Sequence, residues 1–296
     1  MTSLATSSAG GGVGNSDRPF SWSSAKIEEK WKEAWVERYR AFCEERLPHH
    51  ADGNSHQGAS GVPKVFHFIW LGSPFPKAKF QYFYESFQRH HPPSNGWQLH
   101  LWTDEKVAEL RREEELVNAQ VFDSAGNFGE KSDILRYEVL YRFGGIYVDV
   151  DFECFRPFDD LCGRSDLDFF AGISNTRTVE LNNGLIGAAP GHVFLEHIIK
   201  GVRSDPMTVI FAMVGGNPMG KHAAFMSTIE RTGPGHFTRT IMNSPKTWKN
   251  AAQSVVLPTE YFYPVPNHVP SSVSDIAHFI SGKTYAAHRW CKSWQQ

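Results

Sequence analysis

Apolar and polar positions alternate in two rhythms along most of this chain, one with the period of a strand and one with that of a helix. Lys64-Val65-Phe66-His67-Phe68-Ile69-Trp70 is a short apolar run that reads as a buried strand, closed by a turn at Leu71-Gly72-Ser73-Pro74. A helix is predicted over about 79–90, followed by Pro92-Pro93 and a strand over Trp97–Trp102. Thr103 or Asp104 is placed to cap the next helix, which the pattern extends to about Asn118. A third helix is predicted over about 129–143, with Gly144 positioned to end it. The stretch Arg142–Phe152 then passes into a strand with Ile146, Val148, Val150 and Phe152 on one side and Tyr147, Asp149 and Asp151 on the other. Asp168–Ile173 forms another short strand, and Asn182-Asn183-Gly184 reads as a turn leading into one more. Strands and helices alternating at this spacing predict an α/β fold, with one mainly parallel sheet flanked by helices.

The N-terminal part differs. Residues 1–22 form a Ser/Gly-rich tail expected to be disordered. Residues 23–62 read as an amphipathic helix plus linker, in which Ile27, Trp31, Trp35, Tyr39 and Phe42 recur at helical spacing and should pack on the main domain. Three histidines in the linker, His49, His50 and His56, read as solvated loop residues rather than a metal site. The main domain is expected over 63–296.

Composition narrows the function without naming it. At 296 residues, 41% hydrophobic and 21% charged, the chain is an ordinary globular protein of one or two domains. Its 30 basic and 32 acidic residues leave no excess charge to steer it to nucleic acid or an anionic membrane. Cys43, Cys154, Cys162 and Cys291 show no Cys-x-x-Cys pair and read as reduced thiols. There is no signal-peptide pattern, no Asn-x-Ser/Thr acceptor and no apolar run of about eighteen residues, so no transmembrane segment is expected. Together these features predict a cytoplasmic compartment.

The chemistry concentrates around Asp149 and Asp151. At roughly 3.3 Å per residue their Cα atoms would lie roughly 6.6 Å apart on one face of a strand. Neighbouring carboxylates repel unless a cation sits between them, and a divalent metal is the usual remedy. The carboxyl end of a strand is also where ligands bind in sheets of this kind. Asp133 and Arg136 share a helix face and either form a surface pair or present a guanidinium to a sugar hydroxyl or phosphate. Trp70 could stack on a base or belong to the core. Asn182 and Asn183 could bond hydroxyls or simply make a turn. Thr232-Gly233-Pro234-Gly235 lacks the Lys of a phosphate-binding loop. The aromatic and cationic end Tyr285–Trp294 is expected to fold back, with His288 a candidate metal ligand, Lys292 a phosphate partner and Trp294 a lid.

Five ordered motifs carry a family resemblance: KVFHFIWLG at 64–72, LWTD at 101–104, SDILR at 132–136, RFGGIYVDVD at 142–151 and HRWCKSW at 288–294. Over about 63–294 the chain resembles glycosyltransferases of the DxD-containing, sugar-binding-region family. That family includes yeast-type initiating mannosyltransferases and inositolphosphoceramide mannosyltransferases, and is related to large clostridial glucosylating toxins. The resemblance implies a GT-A-like fold and retaining transfer of a hexose from a nucleotide diphosphate sugar (a UDP- or GDP-sugar) to a glycan, lipid or protein hydroxyl. It also implies Mn²⁺, or Mg²⁺, as cofactor. By the same resemblance Asp151 binds the metal, and Asp149 contacts the donor and reaches the metal through water. Asp133 and Arg136 hold the transferring sugar. Trp70 stacks on the nucleobase, Tyr147 lies beside the donor, and Asn183 is a donor contact. His288 touches metal or diphosphate, and Ser293 and Trp294 cover the donor. Many relatives carry an N-terminal Golgi anchor that this chain lacks, so Golgi association is the expectation should it be a fragment. Two other classes compete: a non-catalytic nucleotide-sugar or carbohydrate binding module, and a phosphotransfer enzyme whose first Asp is the nucleophile. The latter normally carries its Asp-x-Asp on the first strand.

Overall fold

A computed structural model describes residues 41, 43–46, 61–176, 180–204, 228–243 and 253–291. The Ser/Gly-rich tail, most of the N-terminal helix, the histidine-bearing linker, Lys292, Ser293 and Trp294 lie outside these residues. The predicted α/β architecture is found. Six strands form one sheet in the order β2-β1-β3-β6-β5-β7, from β1 (Val65–Ile69), β2 (Gln98–Trp102), β3 (Gly145–Val148), β5 (Phe169–Ile173), β6 (Leu181–Ala188) and β7 (Ser254–Leu257). Pairings are parallel except those of β6, which runs against β3 and β5. A separate ribbon pairs β4 (Phe152–Cys154) with β8 (Ala286–His288), antiparallel.

Alternation along the strands sends side chains to two cores. Phe66 and Phe68 of β1 and Ile146 and Val148 of β3 enter one, with Phe80 and Phe87 of α1 (Lys77–His90). Phe262 of α7 (Thr259–Phe262) joins them. Tyr147 and Ile69 face the other core. There they meet α2 (Asp104–Glu113), α3 (Ala119–Ser124), α4 (Phe128–Phe143), α5 (Val193–Ser204) and α6 (Pro234–Met242). Cys43, near the end of the N-terminal helix, is fully buried in that second core, and Arg46 O accepts from Val256 N of β7 at 2.8 Å.

α4 positions the site. Asn127 caps it, its side chain accepting from Glu130 N at 2.9 Å. Its interior is buried on most sides, Ile134, Leu135, Tyr137, Val139 and Leu140 beside the polar Asp133, Arg136 and Glu138. Gly144 ends it as expected, and Gly144 and Gly145 lie at φ 64° and 95°, a region costly for residues with a Cβ. A Cβ on Gly145 would also meet Val65 O at 2.5 Å. The glycine pair is what lets a helix turn directly into β3.

Four expectations are corrected. The second helix stops at Glu113 rather than near Asn118, and α3 is a separate short helix. Thr103 stands at the N-cap but makes no side-chain cap bond, while Asp104 accepts from Gly72 N at 2.7 Å instead. Asn182-Asn183-Gly184 is not a turn but part of β6, beside a register shift between Ala171 and Gly172 of β5. Finally, β3 stops at Val148: Asp149, Val150 and Asp151 form a turn in which Phe152 N donates to Asp149 O at 3.2 Å.

Candidate functional site

The turn after β3 and the strand β8 meet at one point. Phe152 pairs with His288 in the β4–β8 ribbon, so that a histidine 137 positions away in sequence reaches Asp151. His288 Nε2 lies 3.0 Å from Asp151 Oδ1 and 3.9 Å from Asp149 Oδ2. Ligand atoms of Asp149, Asp151 and His288 all fall within 4.8 Å of one another. Cys291 N donates to Asp151 Oδ2 at 2.7 Å. Burial raises a carboxyl pKa, but in Asp151 the His288 charge and hydrogen bond and the Cys291 N–H outweigh it, so its pKa is lowered. Asp149 goes the other way. Burial raises it and the Asp151 charge adds to the rise, against the pull of Arg136 and His288.

Behind this cluster lies a buried polar network on α4. Arg136 Nη1 donates to Asn183 O at 2.8 Å and lies 3.3 Å from Asp149 Oδ1, while Nη2 lies 3.1 Å from Asp133 Oδ1. Its guanidinium sits 4.3 Å from the centre of the Tyr147 ring. Tyr147 in turn donates its hydroxyl to Asp149 Oδ1 at 2.6 Å. Asp133 accepts from Asn183 Nδ2 on Oδ1 at 2.9 Å and from Thr232 on Oδ2 at 3.0 Å. Burial lifts the Asp133 carboxyl to about 6, and the Arg136 charge restrains the rise. Both members of the Asp133–Arg136 pair thereby have hydrogen-bond partners besides each other, as buried ion pairs require.

The residues singled out from sequence are thus mostly brought together: Asp133, Arg136, Tyr147, Asp149, Asp151, Asn183 and His288 form one connected constellation. Trp70 is at the same sheet edge, one residue past β1, but its ring packs on Phe75 and Phe80 and its Nε1 donates to Ser73 at 3.1 Å. Asn182 is held by its neighbours, its Oδ1 accepting from Gly184 N at 2.8 Å and from Tyr263 at 3.2 Å. Sequence reasoning passed over Thr232 as a site residue, and also Ser132, Tyr137 and Cys291. Ser132 lies 3.3 Å from the Tyr147 hydroxyl, and Tyr137 accepts from Asn183 Nδ2 at 2.8 Å. Only Thr232, in a conspicuous Gly-Pro turn, carried a visible signal.

Two carboxylates and an imidazole suit a divalent ion with mixed oxygen and nitrogen preference, such as Mn²⁺. His288 Nδ1 is buried without a hydrogen-bond partner among the described residues, so its ring is free to place its proton there when Nε2 serves as a ligand. The donor set fits a metal.

Parts of the chain are similar to known proteins. Residues 77–168 match the profile of the family described as glycosyltransferase sugar-binding region containing DXD motif. Inositol phosphoceramide mannosyltransferase 1 of Schizosaccharomyces pombe is 33% identical over 138 residues, covering 47% of this chain and 42% of that protein. Mannosyl phosphorylinositol ceramide synthase SUR1 of Saccharomyces cerevisiae is 26% identical over 204 residues, 68% of this chain and 47% of its own. The chain therefore spans less than half the length of these relatives. PaToxG Glycosyltransferase aligns in structure with a TM-score of 0.46 at 12% identity, over 77% of this chain and 82% of that one. The family match at residues 77–168 takes in both the Asp-x-Asp turn and the Asp133/Arg136 pair, so the region that carries the site is similar to the sugar-binding region of DXD-containing glycosyltransferases.

Proposed function

We propose that this protein is a retaining, metal-dependent hexosyltransferase that takes its sugar from a UDP- or GDP-sugar and gives it to a hydroxyl of a glycan, lipid or protein. The observation that carries the reading is the convergence of Asp149, Asp151 and His288 within 4.8 Å, backed by the buried Asp133–Arg136 pair. Asp151 and His288 would hold the ion, with Asp149 alongside. A bound Mn²⁺ or Mg²⁺ supplies Lewis-acid stabilisation for the negative charge that builds on a departing diphosphate.

The remaining roles belong to the chain. Arg136, fixed between Asp133, Asp149 and Asn183 O, places a permanent positive charge beside the anionic donor. Asp133 has about four lone-pair sites. Asn183, Thr232 and Arg136 engage most of them, leaving about one for a sugar hydroxyl. A carboxylate so tied down is poorly placed as a nucleophile. This supports front-face attack, in which the acceptor oxygen bonds to the anomeric carbon as the bond to the diphosphate breaks, and the diphosphate takes the acceptor proton. Tyr147, whose buried hydroxyl is pushed well above its ordinary pKa, stays protonated and steadies Asp149. Trp70, Ser293 and Trp294 are proposed as nucleobase and donor contacts on the resemblance.

The test is nucleotide release from a panel of UDP- and GDP-sugars with Mn²⁺, by wild type and Asp151→Asn. The relatives' names put mannose donors, with inositol phosphoceramide as acceptor, first in that panel. Turnover by wild type, reduced at least about hundredfold by Asp151→Asn, is expected for loss of a carboxylate that would hold the charge-stabilising ion. Wild-type protein that neither binds nor turns over any donor would overturn the reading.

A further inference from the structure

Trp290 is the one non-glycine residue with positive φ among the described residues, at 53°. A bulky side chain in that conformation is an outlier, and such outliers persist where surrounding structure demands them. The demand is visible on either side of it. His288 Nε2 meets Asp151 Oδ1 at 3.0 Å, Arg289 N donates to Asp151 O at 2.9 Å, and Cys291 N donates to Asp151 Oδ2 at 2.7 Å. Four consecutive residues deliver three contacts to a single aspartate only because the chain turns sharply at Trp290.

Glycine would make that turn without strain, so the indole needs its own reason. Its ring lies 4.1 Å from the His288 imidazole, centre to centre, and Phe152 stacks on the same imidazole at 4.6 Å. The indole Nε1 donates to Val265 O at 2.8 Å, which ties the turn to the chain that follows α7. Among the described residues His288 makes its hydrogen bond through Nε2, and Nδ1 has no partner. Ring packing must therefore supply the orientation that a second hydrogen bond usually gives a ligating histidine.

We infer that Trp290 is a positioning residue: its left-handed turn seats the Cys291 N–H on Asp151, and its indole orients the His288 imidazole toward the same carboxylate. The inference rests on reading Asp151 and His288 as the metal pair. Trp290 touches no reacting atom in this arrangement; it acts through its neighbours.

The test measures Mn²⁺ affinity of the full chain by electron paramagnetic resonance of the free ion, alongside thermal melting. Trp290→Gly keeps the turn and removes the indole. Trp290→Phe keeps a ring and loses the bond to Val265. Loss of a group that orients a ligand costs about 10-fold or more in metal affinity, and that is expected for Trp290→Gly. Recovery to within about threefold of wild type is expected for Trp290→Phe, and excess Mn²⁺ should restore donor turnover in a Trp290→Gly protein that melts cooperatively without the ion. Wild-type affinity in Trp290→Gly overturns the inference. If that variant does not melt cooperatively, Trp290→Phe is compared with Trp290→Leu: tighter Mn²⁺ binding by the ring-bearing variant supports the inference, and equal affinities overturn it. Wild-type protein whose Mn²⁺ binding is absent, or unchanged by Asp151→Asn, overturns the metal reading, and this inference with it.

Discussion

Gly184 shows how closely the constellation is packed. A Cβ there would lie 2.7 Å from Asp149 Oδ2 and 3.0 Å from Asn182 Oδ1, while its carbonyl accepts from Asp149 N at 2.8 Å. Gly184→Ala must therefore push the Asp149 carboxylate off the Tyr147 hydroxyl and Arg136. Overpacking of this kind costs about 1–3 kcal/mol, visible as a lower melting temperature. The effect on turnover should be larger, about tenfold to hundredfold, since small displacements of a positioned group are felt strongly in the chemistry. Donor hydrolysis and melting curves on the same preparation check both. Unchanged turnover would remove Asp149 from the working site. In sequence, Asn183-Gly184 looked like a turn, because Asn and Gly favour turns and nothing local reveals that Asp149 will lie against the glycine. The need for glycine here is tertiary, as is the need for Thr232 beside Asp133, and neither leaves a periodic trace.

At the scale of elements, His67 ties three of them together. It sits in β1, receives the Trp102 Nε1–H of β2 on Nδ1 at 3.1 Å, and donates from Nε2 to the carbonyl of Gly144, the residue that ends α4, at 2.9 Å. Both nitrogens are thereby committed to the neutral ring. Burial lowers its pKa from 6.5 to about 4. Because the folded pKa lies below the unfolded one, its contribution is complete above about pH 6.5 and is lost as pH falls toward 4, where the unfolded chain takes up a proton that the folded chain refuses. At about 1.4 kcal/mol per pH unit the loss approaches about 3 kcal/mol. His91, also lowered to about 4 by burial, adds to it. Urea unfolding at pH 7 and pH 4.5 should show this drop in wild type and a smaller one in His67→Gln; equal drops would place the acid sensitivity elsewhere. The same elements were readable from sequence, since β1 is a short apolar run closed by a turn and the α4 pattern runs into a glycine pair. Their ends were less so. β3 was expected to run through Asp151, because the apolar alternation Ile146, Val148, Val150, Phe152 continues unbroken and all four side chains do enter one core. Backbone pairing nonetheless stops at Val148, where the chain turns from the main sheet to the β4–β8 ribbon.

For the molecule as a whole, that ribbon decides whether there is a site at all. Asp149 and Asp151 come from the middle of the chain and His288 from near its end, and the β4–β8 ribbon joins them, together with the Arg289 and Cys291 N–H bonds to Asp151. Sequence marked His288 as a candidate through its setting in HRWCKSW, but a partnership across 137 positions is a property of the fold. This long-range closure has a thermodynamic consequence. An ion held by Asp151 and His288 binds the folded chain and not the unfolded one, where the ligands are far apart. It must then stabilise the fold by about 2.7 kcal/mol when present at one hundred times its dissociation constant. For a domain of this size that corresponds to a rise of about 5–10 °C in melting temperature, at about 2–4 °C per kcal/mol. Mn²⁺ should produce the rise in wild type, and a chelator should reverse it fully. His288→Ala and Asp151→Asn should each abolish it, although one mutation lies in β8 and the other in the turn that follows β3. Ca²⁺, which needs six to eight oxygen ligands and gains little from an imidazole, should give a smaller shift than Mn²⁺ at equal concentration. If His288→Ala keeps the full Mn²⁺ shift while Asp151→Asn loses it, the histidine only braces the aspartate, and the ion is held by the Asp-x-Asp turn without the far end of the chain.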